Sequence, residues 1–335
     1  MKKTILITLL FIMILLSISP ACSKKKVEEG KKYKMAAIFV GVIQDGDWTT
    51  LGYIGLKESG EKYNIETAYS EKVAVSDAVE AMREYISQGY NIIFAHSAEY
   101  VNPVNEIADQ YPNVSFISYA EDVPTNPKPN VWYINRNYYI GAYVLGSLAV
   151  LATKTGKIAF LGALDLPFLR GQINAIKQAI KDLGSNVNFD YIFVGDFDDP
   201  VKAKQAAEGF ISKGVDIIIS VVNLGVYGVF QAVKEAKTPV YTTSMYTDKS
   251  KFAPENYLTT DIFNFTPTLT NIVAKIINGE RGGYMPMEYG EGKARYAQFP
   301  IKNVSEEINN RVKQIAEDVA SGKIKVNLKL DSIDP

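Results

Sequence analysis

Two short segments gather the residues whose types and spacing could do chemistry. The first is Gly41–Thr50 (GVIQDGDWTT), where Asp45, Asp47, Trp48 and Thr49 stand within five positions. The second is Gly195–Pro200 (GDFDDP), with Phe197 set among Asp196, Asp198 and Asp199. An aromatic plate beside carboxylates suits a planar ligand. The ring stacks on it, and a carboxylate accepts hydrogen bonds from its ring nitrogens or amino group. Gly46 permits a sharp turn, and Asp47 suits the N-cap of a helix starting at Trp48. Asp199 before Pro200 reads as a cap followed by a first helical residue. Turn formation and helix packing account for the same residues, so both readings stand at this level. The three aspartates of the second segment resemble a hard-cation site but lack the spacing of a calcium loop, and no metal is expected. Neither a GxGxxG pattern nor a P-loop occurs, so a nucleotide phosphate is not the expected guest.

Composition narrows the chemistry further. His96 is the single histidine and Cys22 the single cysteine in 335 residues. Histidine-cluster metal sites and Ser-His-Asp triads therefore have at most one candidate. His96, followed by Ser97, reads more readily as a satisfied loop histidine than as a ligand contact. With 36 basic against 37 acidic residues, nothing points to nucleic acid. No catalytic residue and no cofactor are expected.

Cys22 has a different use. Met1-Lys2-Lys3 precedes an apolar run from Ile5 to Leu16, broken only by Thr8, and then Ser17-Ile18-Ser19-Pro20-Ala21-Cys22. A basic start, a dozen apolar residues and a small residue before the cut form a secretory signal, too short for a membrane span. Residues 1–21 are read as a lipoprotein signal peptide and Cys22 as the lipidated N-terminus, with Ser19 where Leu is usual. An ordinary cleavable signal and an uncleaved anchor are the alternatives. Residues 22–34 are rich in lysine and read as a solvated tether that holds the body at the extracytoplasmic face of the cell membrane.

The elements that must position the two loops alternate along the chain. Met35–Val42, Ile65–Tyr69, Asn91–Ala95, Val114–Tyr119 and Val131–Ile134 are short apolar runs of strand type. Between the first four lie helical patterns at Thr49–Tyr63, Ser76–Gln88 and Val101–Gln110. After the apolar helix Tyr138–Thr153 a second series repeats the scheme, with strands Lys157–Gly162, Phe189–Val194, Asp216–Val222 and Pro239–Thr243. Such alternation implies α/β architecture, with two doubly wound parallel sheets. In open parallel sheets ligands bind beyond the carboxyl ends of the strands, where both chemical segments fall.

In this order the segments carry a resemblance. GVIQDGDW at Gly41–Trp48, Tyr111–Phe116, Gly141-Ala142-Tyr143 leading to Thr153–Ile158, VGDFDDP at Val194–Pro200, and Phe252-Ala253-Pro254 with Leu258-Thr259-Thr260 resemble the basic membrane protein (PnrA-like) family. That family comprises substrate-binding lipoproteins of ABC importers, and its characterised members bind purine nucleosides. The resemblance implies a type I periplasmic-binding-protein fold, two lobes joined by three crossovers with ligand in the cleft. It implies lobe one at 35–135 plus 244–277 and lobe two at 136–243 plus 278–325. Tyr257–Ile277 would thus complete lobe one, and helix Val304–Ser321 would return to lobe two.

Residue by residue, Asp45 matches the family's first-loop aspartate, Trp48 keeps its stacking role, and Phe197 matches the second stacking aromatic. Asp47 and Thr49 replace Ser and Asn. His96-Ser97 align with the loop after the third strand, and Asn223 and Gly225 with a glycine-rich contact. Tyr246 replaces an aspartate on the ribose side, so the sugar is bound differently or not at all. The expected protein is a monomeric binder that closes on a purine base or nucleoside and delivers it to permease and ATPase subunits. A sugar binder, a sensor lipoprotein, and an enzyme using Asp45, Asp47 or Asp196 as acid-base groups are the other readings.

Overall fold

The computed structural model describes residues 33–334. The signal segment, Cys22 and the tether up to residue 32 lie outside the described residues. The chain begins with β1 (Lys34–Phe39), α1 (Trp48–Tyr63), β2 (Glu66–Ser70), α2 (Ala78–Ser87), β3 (Ile92–His96), α3 (Val101–Ala108), β4 (Ser115–Tyr119) and β5 (Val131–Asn135). There follow α4 (Tyr138–Ala152), β6 (Lys157–Gly162), α5 (Pro167–Asp182), β7 (Asn188–Phe193), α6 (Pro200–Ser212), β8 (Ile217–Val221), α7 (Val226–Glu235), β9 (Tyr241–Tyr246) and β10 (Tyr257–Phe263). Last come α8 (Thr266–Ile277), β11 (Gly283–Pro286), β12 (Arg295–Ala297) and α9 (Glu306–Ala320).

These strands form two six-stranded sheets, ordered β11-β5-β4-β3-β1-β2 and β12-β10-β9-β8-β6-β7. Every pairing is parallel except β10 with β12. The central strands are apolar and fully covered, as parallel sheets with helices on both faces require; β3 and β8, for example, are buried along their whole length. Helix α4 is apolar around most of its circumference because it lies between α5, α9 and the second sheet. Gly146 makes the closest approach possible. A Cβ there would stand 3.0 Å from the Ile176 backbone of α5.

Two assignments differ from the sequence reading. Tyr257–Ile277 was expected to complete the first lobe as a unit, but only α8 does so, packing on α1. Strand β10 belongs to the second sheet, in parallel register with β9 through pairs such as Thr260 with Ser244. A buried hydroxyl chain fixes that pairing: Ser244 Oγ lies 2.7 Å from Tyr257 Oη, which also meets Thr260 Oγ1. Asp261 adds a fully buried ion pair with Arg295 of β12. The second crossing therefore falls at Asn264-Phe265, after β10, rather than near Thr243. The first crossing follows Asn135, and the third lies between β11 and β12, so β11, within the stretch 278–325 that the sequence reading assigns to lobe two, instead extends the first sheet beside β5.

Candidate functional site

The carboxyl ends of β1, β3, β6 and β8 open onto a cleft between the sheets, with a cavity of about 410 Å3. Trp48, Thr49 and Ser97 line it from the first lobe, and Phe197, Asn223 and Tyr246 from the second. Asp45, Asp47, His96 and Gly225 stand behind this lining, and each has a structural duty.

Asp45 builds the first loop. Its Oδ1 accepts from the amides of Asp47 (2.8 Å) and Thr50 (3.0 Å) and from the Thr50 hydroxyl (2.9 Å); its Oδ2 accepts from the Thr49 amide (2.9 Å). Asp45 thus satisfies the orphan amides at the start of α1, a role expected of Asp47, whose side chain caps nothing. Burial opposes the Asp45 charge. The amides of Thr50, Asp47 and Thr49 nonetheless hold its carboxyl below the ordinary range.

Asp47 crosses the cleft instead. Its carboxylate pairs with Lys249 Nζ and accepts from Thr247 Oγ1 at 2.9 Å, both on the segment after β9. Burial pushes the Asp47 carboxyl up and the Lys249 ammonium down, and each charge counteracts the shift of the other. The pair, 1 % and 4 % exposed at the side chains, ties the first loop to the second lobe. Lys249 gave no sequence signal, being one lysine in an ordinary-looking run, Asp248–Lys251.

Trp48 lies on the His96 ring, with centroids 4.2 Å apart and planes 16° from parallel. Phe265 meets the indole edge-on at 5.1 Å. His96 Nε2 donates to the Trp48 carbonyl at 2.8 Å, which fixes the tautomer, so Nδ1 accepts from the Tyr119 hydroxyl at 2.6 Å. Complete burial drives the His96 pKa down to about 3, so the imidazole is neutral. Gly52 leaves the room this ring needs, since a Cβ there would stand 2.4 Å from His96 Nε2. His96 thus supports the indole from one face, and the Arg136 guanidinium also lies over the ring, its carbon 5.5 Å from the centroid.

The second loop is simpler. Asp199 caps α6 by accepting from the amides of Val201 (2.9 Å) and Lys202 (3.0 Å), as its sequence predicts. Asp198 Oδ1 accepts from Asn223 Nδ2 at 2.8 Å and from the Leu224 amide at 3.1 Å. The Phe197 carbonyl accepts from the amides of Asn223 and Gly225, both at 3.0 Å. A Cβ on Gly225 would stand only 3.0 Å from that oxygen, so this glycine serves the backbone approach that presents Phe197.

Sequence reasoning missed the floor of the cleft. Arg136, on the first crossing, is buried with its guanidinium carbon 4.8 Å from the Tyr138 ring, 4.9 Å from those of Tyr119 and Phe168, and 5.5 Å from Trp48. It pairs with Glu121, and its carbonyl accepts from Arg295. The available signal was a lone arginine between an apolar strand and an apolar helix, where charge is rare unless partnered. Tyr246 closes the wall with its hydroxyl 3.1 Å from that of Tyr138. Its backbone sits at φ 74°, an unfavourable region for a tyrosine that only the surrounding packing sustains.

Two parallel-sheet lobes around an aromatic cleft, linked by three crossings, define the type I periplasmic-binding-protein fold. An ABC transporter solute-binding protein of Aeropyrum pernix shares this fold at a TM-score of 0.75 and 17% identity, over 89% of this chain and 94% of that one. The family described as ABC transporter substrate-binding protein PnrA-like matches residues 32–327, and the chain belongs to it. A purine-binding protein of Brucella abortus is 26% identical, covering 88% of this chain and 85% of its own length. An ABC transporter protein of Haloferax volcanii named for glucose binding is 25% identical, covering 89% and 75%. Substrate-binding proteins of ABC transporters are extracytoplasmic and work with permease and ATPase subunits. Among the described residues, no helix is long and apolar enough to cross a membrane.

Proposed function

We propose that this protein captures a purine base or nucleoside in the cleft and delivers it to an ABC permease, held at the membrane by lipid on Cys22. The observation that carries the ligand class is the Trp48 indole, laid flat on His96 and lining a cleft faced from the other lobe by Phe197. A rigid plate supported from behind stacks a planar ring with little loss of side-chain freedom. The purine-binding name of the Brucella relative supports this class. The name of the Haloferax relative favours a sugar, and sugars also stack on aromatic plates.

The site is a binder's rather than an enzyme's. Asp45 has both oxygens engaged by its own loop, and Asp47 is paired with Lys249, so neither is placed to move a proton. The deciding experiment is a thermal-shift screen of the mature protein against purine bases, nucleosides and monosaccharides. A ligand present at 100 times its Kd stabilises the fold by about 2.7 kcal/mol, a shift of several degrees. Purines alone should give it. A shift with glucose or another sugar and none with purines refutes the assignment.

A further inference from the structure

The three crossings meet at one buried joint. Met287 of the third donates its amide to the Asn135 carbonyl at the first, at 2.7 Å, and Asn137 Nδ2 returns to the Met287 carbonyl at 2.8 Å. The Asn264 amide of the second donates to the Ala294 carbonyl of the third at 2.8 Å. Arg295 stands at the centre of this joint with no exposed surface. Its Nη1 donates to the Arg136 carbonyl on the first crossing at 2.5 Å, and its Nη2 pairs with Asp261, just before the second. The Phe263 ring centroid lies 4.0 Å from the guanidinium carbon. Helix α4 makes room for the pair at Gly141, where a Cβ would run into both Asp261 Oδ2 and Arg295 Nη2.

A buried ion pair is weak ground for stability, because the cost of taking two charges out of water can exceed what their attraction returns. What the pair holds in place is the more telling property. We propose that Arg295 is a positioning residue for ligand capture, whose fork ties the second sheet to the first crossing and so governs how the lobes turn. Packed lobes move as rigid bodies, so their rotation is absorbed by backbone dihedrals at the crossings. The bond from Arg295 to the Arg136 carbonyl spans that turning point, and rotation there strains it. The same residue, Arg136, lines the cleft with its guanidinium carbon 5.5 Å from the Trp48 ring, so the joint and the cleft floor are held together. A planar fork serves both acceptors at once. Lysine, a single point of charge, keeps the ion pair and gives up the second anchor. The bearing of Arg295 on capture rests on the binding function proposed above, whereas its hold on the joint does not.

The test compares the mature protein with Arg295→Lys, which keeps the counter-charge of Asp261. Hydrogen exchange read by mass spectrometry should be at least about tenfold faster in peptides holding Asn137, Asn264 and Met287, and unchanged in β8. Calorimetric titration with hypoxanthine and with guanosine should show affinity weakened at least about tenfold. Should the lysine variant fail to fold, Asp261→Asn combined with Arg295→Met removes both charges together and makes the same comparison without an unpaired buried ion. Unchanged exchange at the crossings, or acceleration that is equal in β8, overturns the proposal and leaves Arg295 a structural residue only. Faster exchange at the crossings with unchanged purine affinity also overturns it, since the joint would then not serve capture. If the unaltered protein binds neither compound, the purine reading falls by itself, and exchange at the crossings still decides whether Arg295 holds the joint.

Discussion

The two ligand-edge loops carry much the same residues and spend them differently. In Gly41–Thr50 the carboxylates are drawn inward: Asp45 closes its own loop, Asp47 reaches Lys249 across the cleft, and Trp48 rests on the neutral His96. In Gly195–Pro200 they stay local. Asp199 caps α6, Asp198 holds the Asn223 turn, and Phe197 is placed by hydrogen bonds to its backbone with no ring recorded stacked behind it among the described residues. A loop with buried polar partners is pre-organised and couples to the other lobe. A loop of caps presents a side chain and can move with its own domain. On the proposed function, the first loop would be the pre-organised half of the site and the second the half that moves on closing.

The largest expected effect breaks the bridge between them. Asp47→Asn leaves Lys249 as a buried ammonium without its counter-charge, which costs on the order of 3 kcal/mol in the closed state and is relieved by opening. Ligand affinity should fall on the order of 100-fold, and small-angle scattering of the ligand-bound protein should show a more open envelope. Unchanged affinity would remove the bridge from the closing mechanism.

Next in size is a pH effect at the support of the first loop, His96 of β3. His96 has a folded pKa of about 3 against 6.5 when unfolded, so between these values the unfolded chain binds the extra proton. The contribution of His96 to stability should therefore be lost as pH falls, by about 2 kcal/mol from pH 7 to pH 5, while Asp261, raised to about 6 by burial, works in the opposite direction in both proteins compared below. The depressed carboxyl of Asp45 adds a loss in the same direction at lower pH, below the ordinary carboxylate range. Urea unfolding of the protein and of His96→Gln across this range measures the slope. Equal slopes in the two proteins would contradict the assignment of a buried neutral histidine.

The smallest effect sharpens the contrast between the plates. Trp48→Ala should weaken binding by at least about tenfold, and Phe197→Ala by about threefold, because only the indole has a ring fixed beneath it. Calorimetric titration of both variants would show it. Similar losses from the two would make the loops equivalent in binding whatever their construction.

Much of this was legible in the residues. The alternation of apolar runs with amphipathic stretches marks parallel sheets, and aromatics at two strand ends mark the ligand edge, because burial and turn chemistry leave periodic traces. The sheet that takes β10 left no such trace. Tyr257–Phe263 is apolar enough to be covered in either lobe, and its place is decided by side chains far away in sequence, Ser244 and Arg295. Arg136 was hidden for the same reason. A single charge between two apolar elements acquires meaning only when Glu121 and four rings converge on it.

By itself, then, the sequence determined the architecture, the two loops and the aromatic character of the site, since each follows from local periodicity, turn residues and strand ends. Only the tertiary structure decided which carboxylate caps and which bridges the lobes. An aspartate in a turn has the same spacing whether it caps or bridges. What separates them is the partner brought within about 3 Å by folding.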